Sequence, residues 1–251
     1  MKLKEIYQKI NSFAPFSLSD ELCKATNGYD NSGIIADCER EVDTVVFALD
    51  LTFEAVDMAI ENNAQLIVTH HPAIYLPISK IEGALLKAVQ KGISVISAHL
   101  NFDVAEFGID YFFAKGLGGE NQEILLKLSQ GGYGRRFEVD KTLGEMVEIC
   151  KTVFRSNKVV CYGDESAKIS SVATFCGAGL DGDSLKANAD LIISADGKHH
   201  LILQALESGK SLILVTHYAG ENYGFKKAVD LLIKNQFKQL NCVYFDDLRL
   251  L

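Results

Sequence analysis

The sequence lacks three features that would each place a protein in a particular class. Its six cysteines form no CxxC pair, which disfavours a zinc knuckle and a thioredoxin-like redox site. Its charged N-terminal residues are not followed by an apolar stretch of signal-peptide length, and no run approaches about 18 apolar residues. Lysine and arginine do not cluster, and the formal net charge is -8. We therefore expect a cytoplasmic protein with reduced thiols that binds neither membranes nor nucleic-acid phosphates.

What is present is an ordinary globular composition, with 251 residues of which 48% are hydrophobic and 23% are charged. Short apolar runs rich in β-branched residues predict strands, and most of them are continuous rather than alternating. Continuous apolar strands are typical of parallel sheets that helices cover on both faces, so the sequence predicts an α/β fold. The predicted strands are 44–49, 65–69, 94–98, 170–175, 190–194, 211–216 and 241–245, and the predicted helices are 53–62, 82–91, 143–154, 198–208 and 222–234.

A domain boundary is predicted near residue 127, because the alternation of strands and helices loosens between Gly118 and Asn157. The first α/β domain would comprise residues 1–127 and the second residues 128–251. Within the second half, we expect that the C-terminal segment can pack back on the first domain.

The chain has only six histidines, and each follows a predicted strand directly or lies in the next turn. In open α/β sheets, ligands bind beyond the carboxyl ends of the strands. His70 and His71 are adjacent, and Pro72 favours the end of the strand there, which allows both rings to serve one site. A single ligand beside a solvated histidine is the alternative interpretation.

Two carboxylates lie close to these histidines along the chain. Asp103 follows His99 by four residues, and Glu221 follows His217 by four residues. Taken alone, Asp103 suits a helix N-cap and Glu221 suits the first turn of a helix. Together with the histidines they form the nitrogen and oxygen set expected for Zn, Mn, Fe or Co, which predicts these metal ligands: His70, His71, Asp103, His217 and Glu221.

Several segments together carry a resemblance to a known family. They are 29–33 (YDNSG), 48–52 (ALDLT), 66–72 (LIVTHHP), 99–103 (HLNFD), 189–200 and 217–221 (HYAGE). In these segments the chain resembles the GTP cyclohydrolase 1 type 2 homologues, also called the Nif-three-like family, in the short form without a central insertion.

This resemblance implies two α/β domains, a homohexameric ring and a dinuclear metal site between the domains. It also implies that two divalent ions are held by the same five ligands. The identity of the ions (Zn, Fe, Mn or Co), and which histidine binds which ion, stay open.

A competing motif follows the predicted strand 170–175. Residues 177–182 (GAGLDG) satisfy GxGxxG, and Asp196 ends the next strand where a ribose-binding acid is expected. Asp181 and Asp183, however, would lie where a pyrophosphate needs the positive end of a helix, and the following helix looks very short. A dinucleotide site is therefore the less favoured interpretation.

The metal site predicts a hydrolase, because two ions about 3.5 to 4 Å apart make water a nucleophile at neutral pH. His99 is the catalytic candidate, either as a proton shuttle or as a residue that orients a ligand. Asp196 and His200 are expected to line the pocket, and His199 to point away. The substrate class is a small anionic, nucleotide-like molecule, cleaved by ring opening of GTP or at a phosphoester. The alternative is a non-catalytic metal-binding or regulatory scaffold that forms the same ring.

Overall fold

The computed structural model describes residues 1–250, which form an α/β fold with two sheets. The helices are α1 (Leu3–Phe13), α2 (Ser17–Thr26), α3 (Phe53–Glu61), α4 (Gly83–Gln90), α5 (Leu100–Val104), α6 (Ile109–Gly116), α7 (Leu143–Phe154), α8 (His199–Glu207) and α9 (His217–Gln236). The strands are β1 (Gly33–Ala36), β2 (Thr44–Ala48), β3 (Leu66–Thr69), β4 (Ser94–Ser97), β5 (Glu123–Lys127), β6 (Gly132–Thr142), β7 (Val160–Tyr162), β8 (Lys168–Thr174), β9 (Leu191–Ala195), β10 (Ser211–Val215) and β11 (Asn241–Phe245).

Contacts divide the described residues into two compact units. The first comprises residues 1–105 and 225–246, and the second comprises residues 106–224 and those after 246. The division falls once inside α9, so one helix contributes residues to each unit. Residue 127, where the sequence predicts a domain boundary, is the last residue of β5.

The sheet of the first unit has the strand order β1-β4-β3-β2-β11. Strands β4, β3, β2 and β11 are parallel neighbours, and only the edge strand β1 is antiparallel. Val46, Ile67 and Val95 face the core from adjacent strands, and α3 and α4 add Val56 and Leu85 to the same buried cluster. The predicted parallel, helix-covered sheet is confirmed in this unit.

The sheet of the second unit has the order β5-β6-β8-β9-β10-β7 and is mixed. Strands β8, β9 and β10 are parallel, whereas the β5-β6, β6-β8 and β7-β10 pairings are antiparallel. The sequence predicts a largely parallel sheet here as well, so the antiparallel part is a departure. The β5-β6 pairing is a hairpin, because the glycines after Lys127 turn the chain back into β6 rather than ending the sheet.

The strands predicted from apolar runs are present, each within two residues of its predicted bounds. The helix predicted from Asn222 instead begins at His217, five residues earlier, so His217 opens a helix rather than lying in a turn. None of the helices in the described part of the chain has the length and apolarity needed to cross a bilayer.

Candidate metal centre

The adjacent histidines lie just beyond the end of β3. The backbone amides of His70 and His71 still donate to Ala48 O and Leu49 O, at 3.1 and 2.9 Å, so the chain remains beside β2 after the strand ends. Pro72 has no amide to continue this pattern. His70 is fully buried and His71 is half-buried, so the two rings enter the site from different depths.

The next parallel strand, β4, brings His99 and Asp103 to the same edge of the first sheet. His99 is the N-cap residue of α5, and the amide of Asp103 donates to His99 O at 3.1 Å. Asp103 is 5% exposed, and its Oδ1 lies 3.6 Å from His70 Nε2. Interpreting Asp103 as an N-cap is therefore wrong, since it lies inside the helix and faces a histidine.

Three imidazoles of the first unit form one cluster. His70, His71 and His99 each offer a ring nitrogen, and these three nitrogens all lie within 4.8 Å of one another. Neutral imidazole nitrogen is the commonest metal ligand in proteins. The cluster is thus a group that could hold a metal ion, and it includes His99, for which the sequence predicts a catalytic role instead.

Each ring of this cluster has an oxygen acceptor at its other nitrogen. A metal-binding histidine normally donates its second N–H to a carboxylate or carbonyl, which fixes the tautomer and aims the free nitrogen at the ion. The Nδ1 contacts are His70 with Ala98 O at 3.0 Å, His71 with Asp50 Oδ1 at 2.7 Å, and His99 with Asp30 Oδ1 at 2.7 Å. The donor set and its supporting acceptors therefore fit a divalent transition metal.

Asp30 is held in its ionised form. Burial opposes ionisation, but hydrogen bonds from His99 and Ser32, together with the charge of His99, outweigh it and lower the pKa of Asp30 to about 2. Ser32 also accepts a hydrogen bond from the backbone amide of His99 at 3.0 Å. The segment 29–33 therefore fixes both the ring and the backbone of His99.

The second unit carries the other two predicted ligands at the start of α9. His217 Nε2 lies 2.9 Å from Glu221 Oε2, and His217 Nδ1 contacts the carboxylate of Asp196. Asp196 directly follows β9 in the left-handed backbone region, with φ of 50°. Glu221 is 2% exposed and lies beyond the first turn of α9, so its interpretation as a first-turn acid is wrong.

Gly177, the first glycine of the GxGxxG motif, packs against Glu221. Its φ is +59°, and a Cβ atom at this position would lie 2.2 Å from Glu221 Oε1. Between Gly177 and β9, the only helical turn is the three-residue 3-10 helix Ser184–Lys186, which offers no helix N-terminus of useful length to a pyrophosphate. The motif shapes a turn around Glu221, and the dinucleotide interpretation gains no support.

The remaining residues that the sequence analysis considers for the pocket are His199, His200 and Asp196. His199 and His200 are the first two residues of α8 and are exposed. The carboxylate of Asp196 contacts His217 Nδ1. The roles predicted for His199 and His200 stay predictions.

Sequence reasoning missed two residues, Asp30 and Asp50, as partners of His99 and His71. The available signal was their position inside the segments 29–33 and 48–52, which carry the family resemblance but include no predicted ligand. Spacing along the chain cannot reveal such a carboxylate. Asp30 and His99 are 69 positions apart, and Asp50 and His71 are 21 positions apart.

Comparison with known proteins assigns the family. The family model described as Duf34/NIF3 (NGG1p interacting factor 3) matches residues 1–247. The chain belongs to the Duf34/NIF3 family. The predicted resemblance is therefore confirmed across nearly the whole chain.

Relatives in the Duf34/NIF3 family have similar lengths. A Clostridium acetobutylicum protein named GTP cyclohydrolase 1 type 2 homolog is 32% identical over 236 residues, 88% of this chain and 85% of that protein. A Methanocaldococcus jannaschii protein of the same name is 30% identical over 244 residues, 94% of this chain and 96% of that protein. A crystal structure of a Staphylococcus aureus hypothetical protein has a TM-score of 0.87 at 25% identity, covering 98% of this chain and 97% of that one.

Proposed function

We propose that this member of the Duf34/NIF3 family is a dinuclear metal-dependent hydrolase acting on a small anionic, nucleotide-like substrate. The observation that carries the proposal is the pairing of each histidine donor with an oxygen acceptor at Nδ1, in both units. Such support is what a metal ligand requires and what a merely solvated histidine does not.

Five residues would hold the two ions in this proposal. When bound, two divalent ions supply a Lewis acid for the oxygen under attack and lower the pKa of water. That these residues serve one centre is what the family resemblance implies. The proposed ligands are His70, His71, Asp103, His217 and Glu221.

The charge balance of this ligand set favours an anionic substrate. Two divalent ions bring about four positive charges, whereas the ligand carboxylates Asp103 and Glu221 bring about two negative ones. The surplus would attract a phosphate or similar anion even though the chain carries a formal net charge of -8. The name GTP cyclohydrolase 1 type 2 homolog of the relatives agrees with a nucleotide but does not identify the bond that is cleaved.

His99 would move the proton in this reaction. Asp30 accepts its Nδ1–H at 2.7 Å and so leaves Nε2 as the nitrogen that gives or takes a proton. Because His99 also belongs to the histidine cluster, a role as a sixth ligand competes with this assignment, and metal content separates the two.

The deciding experiment measures metal and turnover on the same preparations. Elemental analysis of wild-type protein should give about two divalent ions per chain, and His70→Ala and Glu221→Ala should each lose most of the metal. His99→Gln should keep the metal but lower kcat for release of formate or phosphate from a nucleotide panel by about 100-fold or more. His199→Gln, at the exposed start of α8 and expected to point away from the pocket, serves as the matched control and should change neither the metal content nor kcat.

Two outcomes would contradict the proposal. Metal-replete wild-type protein that exchanges metal readily yet releases neither formate nor phosphate would favour the non-catalytic metal-binding scaffold. Loss of metal from His99→Gln would make His99 a ligand and remove the proton-transfer role.

We further propose that the protein acts in the cytoplasm and assembles as a homohexameric ring. All six cysteines are free thiols, which supports a reducing compartment. The ring is the assembly that the family resemblance implies.

A further inference from the structure

Two exposed tyrosines form a corner beside the histidine cluster of the first unit. Tyr29 and Tyr75 are each 50% exposed, their ring centroids lie 5.9 Å apart, and their planes meet at 83°. Tyr75 also stands at 86° to the ring of His99, with 6.4 Å between centroids. Tyr75 is thus a direct neighbour of His99, the residue to which we assign proton transfer.

Hydrogen bonds fix the corner in place despite its exposure. Asn31 Nδ2 donates to Ile74 O at 2.6 Å, which ties the segment of Tyr29 to the loop of Tyr75. The amide of Ala73 donates to Ser97 Oγ on β4 at 2.9 Å, which ties the same loop to the sheet. The two residues before Tyr75 are therefore tied to the segment of Tyr29 and to the sheet.

Perpendicular aromatic faces suit one kind of ligand well. A planar ring stacked on one tyrosine presents its edge to the face of the other, and both geometries are favoured by the aromatic quadrupole. An aliphatic sugar or a free phosphate gains neither contact. Ligand sites commonly combine such an apolar wall with a few polar groups that fix the orientation, here the histidines.

We propose that Tyr29 and Tyr75 bind the planar heteroaromatic ring of the substrate and thereby select nucleotides over ring-free anions of similar charge. This inference rests on the proposed function for the position of the anionic group, which the metal centre would hold. It deepens that function by assigning specificity to two residues outside the proposed ligand set.

The test compares two probes on metal-loaded, full-length protein by isothermal titration calorimetry with Mn²⁺ in excess. Guanosine 5′-monophosphate carries the ring and ribose 5-phosphate lacks it. Wild-type protein should bind the nucleotide at least about tenfold more tightly, the lower part of the range known for base stacking on aromatic side chains. Tyr75→Leu and Tyr29→Leu should each remove most of this preference, and Tyr75→Phe should retain it.

Leu76→Ala is the matched control, because Leu76 is 62% exposed in the same loop but has no aromatic face. It should leave the ratio of the two affinities unchanged. Equal affinities in the wild type, no binding of guanosine 5′-monophosphate, or an unchanged ratio in both leucine variants would overturn the inference. So would a leucine variant that changes only the oligomeric state in native mass spectrometry, which would make the corner a contact between copies.

Binding and turnover distinguish failure of the ring site from failure of the proposed function. A ring preference that disappears in Tyr75→Leu, in a protein without turnover on any nucleotide, would end the hydrolase proposal and leave the ring site standing. Turnover on nucleotides without a ring preference would keep the hydrolase proposal and end the inference of a ring site.

Discussion

At the scale of single residues, Asp30 and Asp50 decide which nitrogen their histidines present to the site. Each accepts an Nδ1–H at 2.7 Å, from His99 and His71 respectively, so Nε2 is the nitrogen of each ring that can bind a metal ion. Asp196 has the same relation to His217 in the second unit. Carboxylates thus orient histidines in both units, although the segments that carry them are unrelated in sequence.

Substitution of Gly177 is predicted to weaken metal binding, as substitution of a metal ligand would. In Gly177→Ala, the new Cβ would meet Glu221 Oε1 at 2.2 Å, and alanine would be strained at φ of +59°. The carboxylate must move, so we expect metal affinity to fall by about 10- to 100-fold, measured by competition with a chromophoric chelator.

The control for this substitution lies in the same motif. A methyl group added at Gly182 would have no atom within 4 Å, and Gly182 has no positive φ, so Gly182→Ala should bind metal as the wild type does. If Gly177→Ala and Gly182→Ala both bound metal with wild-type affinity, the position of Glu221 would not matter for metal binding.

The predicted ligands could be named from sequence because they occur as short motifs at strand ends. His70 and His71 precede a proline, and Asp103 and Glu221 each follow a histidine by four residues. The histidine-orienting role of Asp30, Asp50 and Asp196 could not be predicted, because these residues reach their histidines from distant segments of the chain. Gly177 was visible only as part of a glycine-rich pattern with several possible meanings.

At the scale of elements, Asp190 locks the register between β8 and β9. Its carboxylate accepts hydrogen bonds from the backbone amides of Ser170 and Ser171, at 2.9 and 3.0 Å. The bond from the Ser170 amide is the main reason that the pKa of Asp190 is lowered from 3.8. A lowered pKa means that this contribution to stability is complete above the unfolded value and is lost as the pH falls through the folded value.

Asp190→Asn should therefore lower the Tm at pH 7, whereas the difference from wild type should shrink towards zero as the pH is lowered well below 3.8. Thermal melts followed by circular dichroism over this range measure the effect. Asp183→Asn is the comparison, because the Asp183 side chain is 87% exposed and its ion pair with Lys186 contributes little. A Tm difference for Asp190→Asn that is independent of pH would refute the assignment.

Elements with continuous apolar runs were predictable, and those with mixed exposure were not. The parallel strands β2, β3, β4 and β9 are buried on both faces, and their sequences show it directly. The edge strand β1 and the hairpin β5-β6 alternate or are only half-buried, so tertiary pairing rather than pattern defines them. Helix α1 does carry apolar residues at helical spacing, namely Leu3, Ile6 and Ile10, and a search of the N-terminus for periodicity would find it.

At the scale of the whole molecule, the proposed ring has a direct test. Native mass spectrometry of full-length protein at low micromolar concentration should show a species of six chains, each of 27.6 kDa. Metal removal with a chelator should leave that mass unchanged if the metal ligands lie apart from the contacts between copies. A monomer at all concentrations would contradict the ring.

The first unit is discontinuous along the chain, and this has a consequence for the order of folding during synthesis. Its sheet receives β11 last, and Phe225, whose ring lies 5.6 Å from that of His70, is made only after residues 106–224 of the second unit. A nascent chain on the ribosome thus carries an open sheet edge until translation is almost finished. A chain that ended after residue 224 would leave His70 without the ring of Phe225, even though every histidine had already been translated.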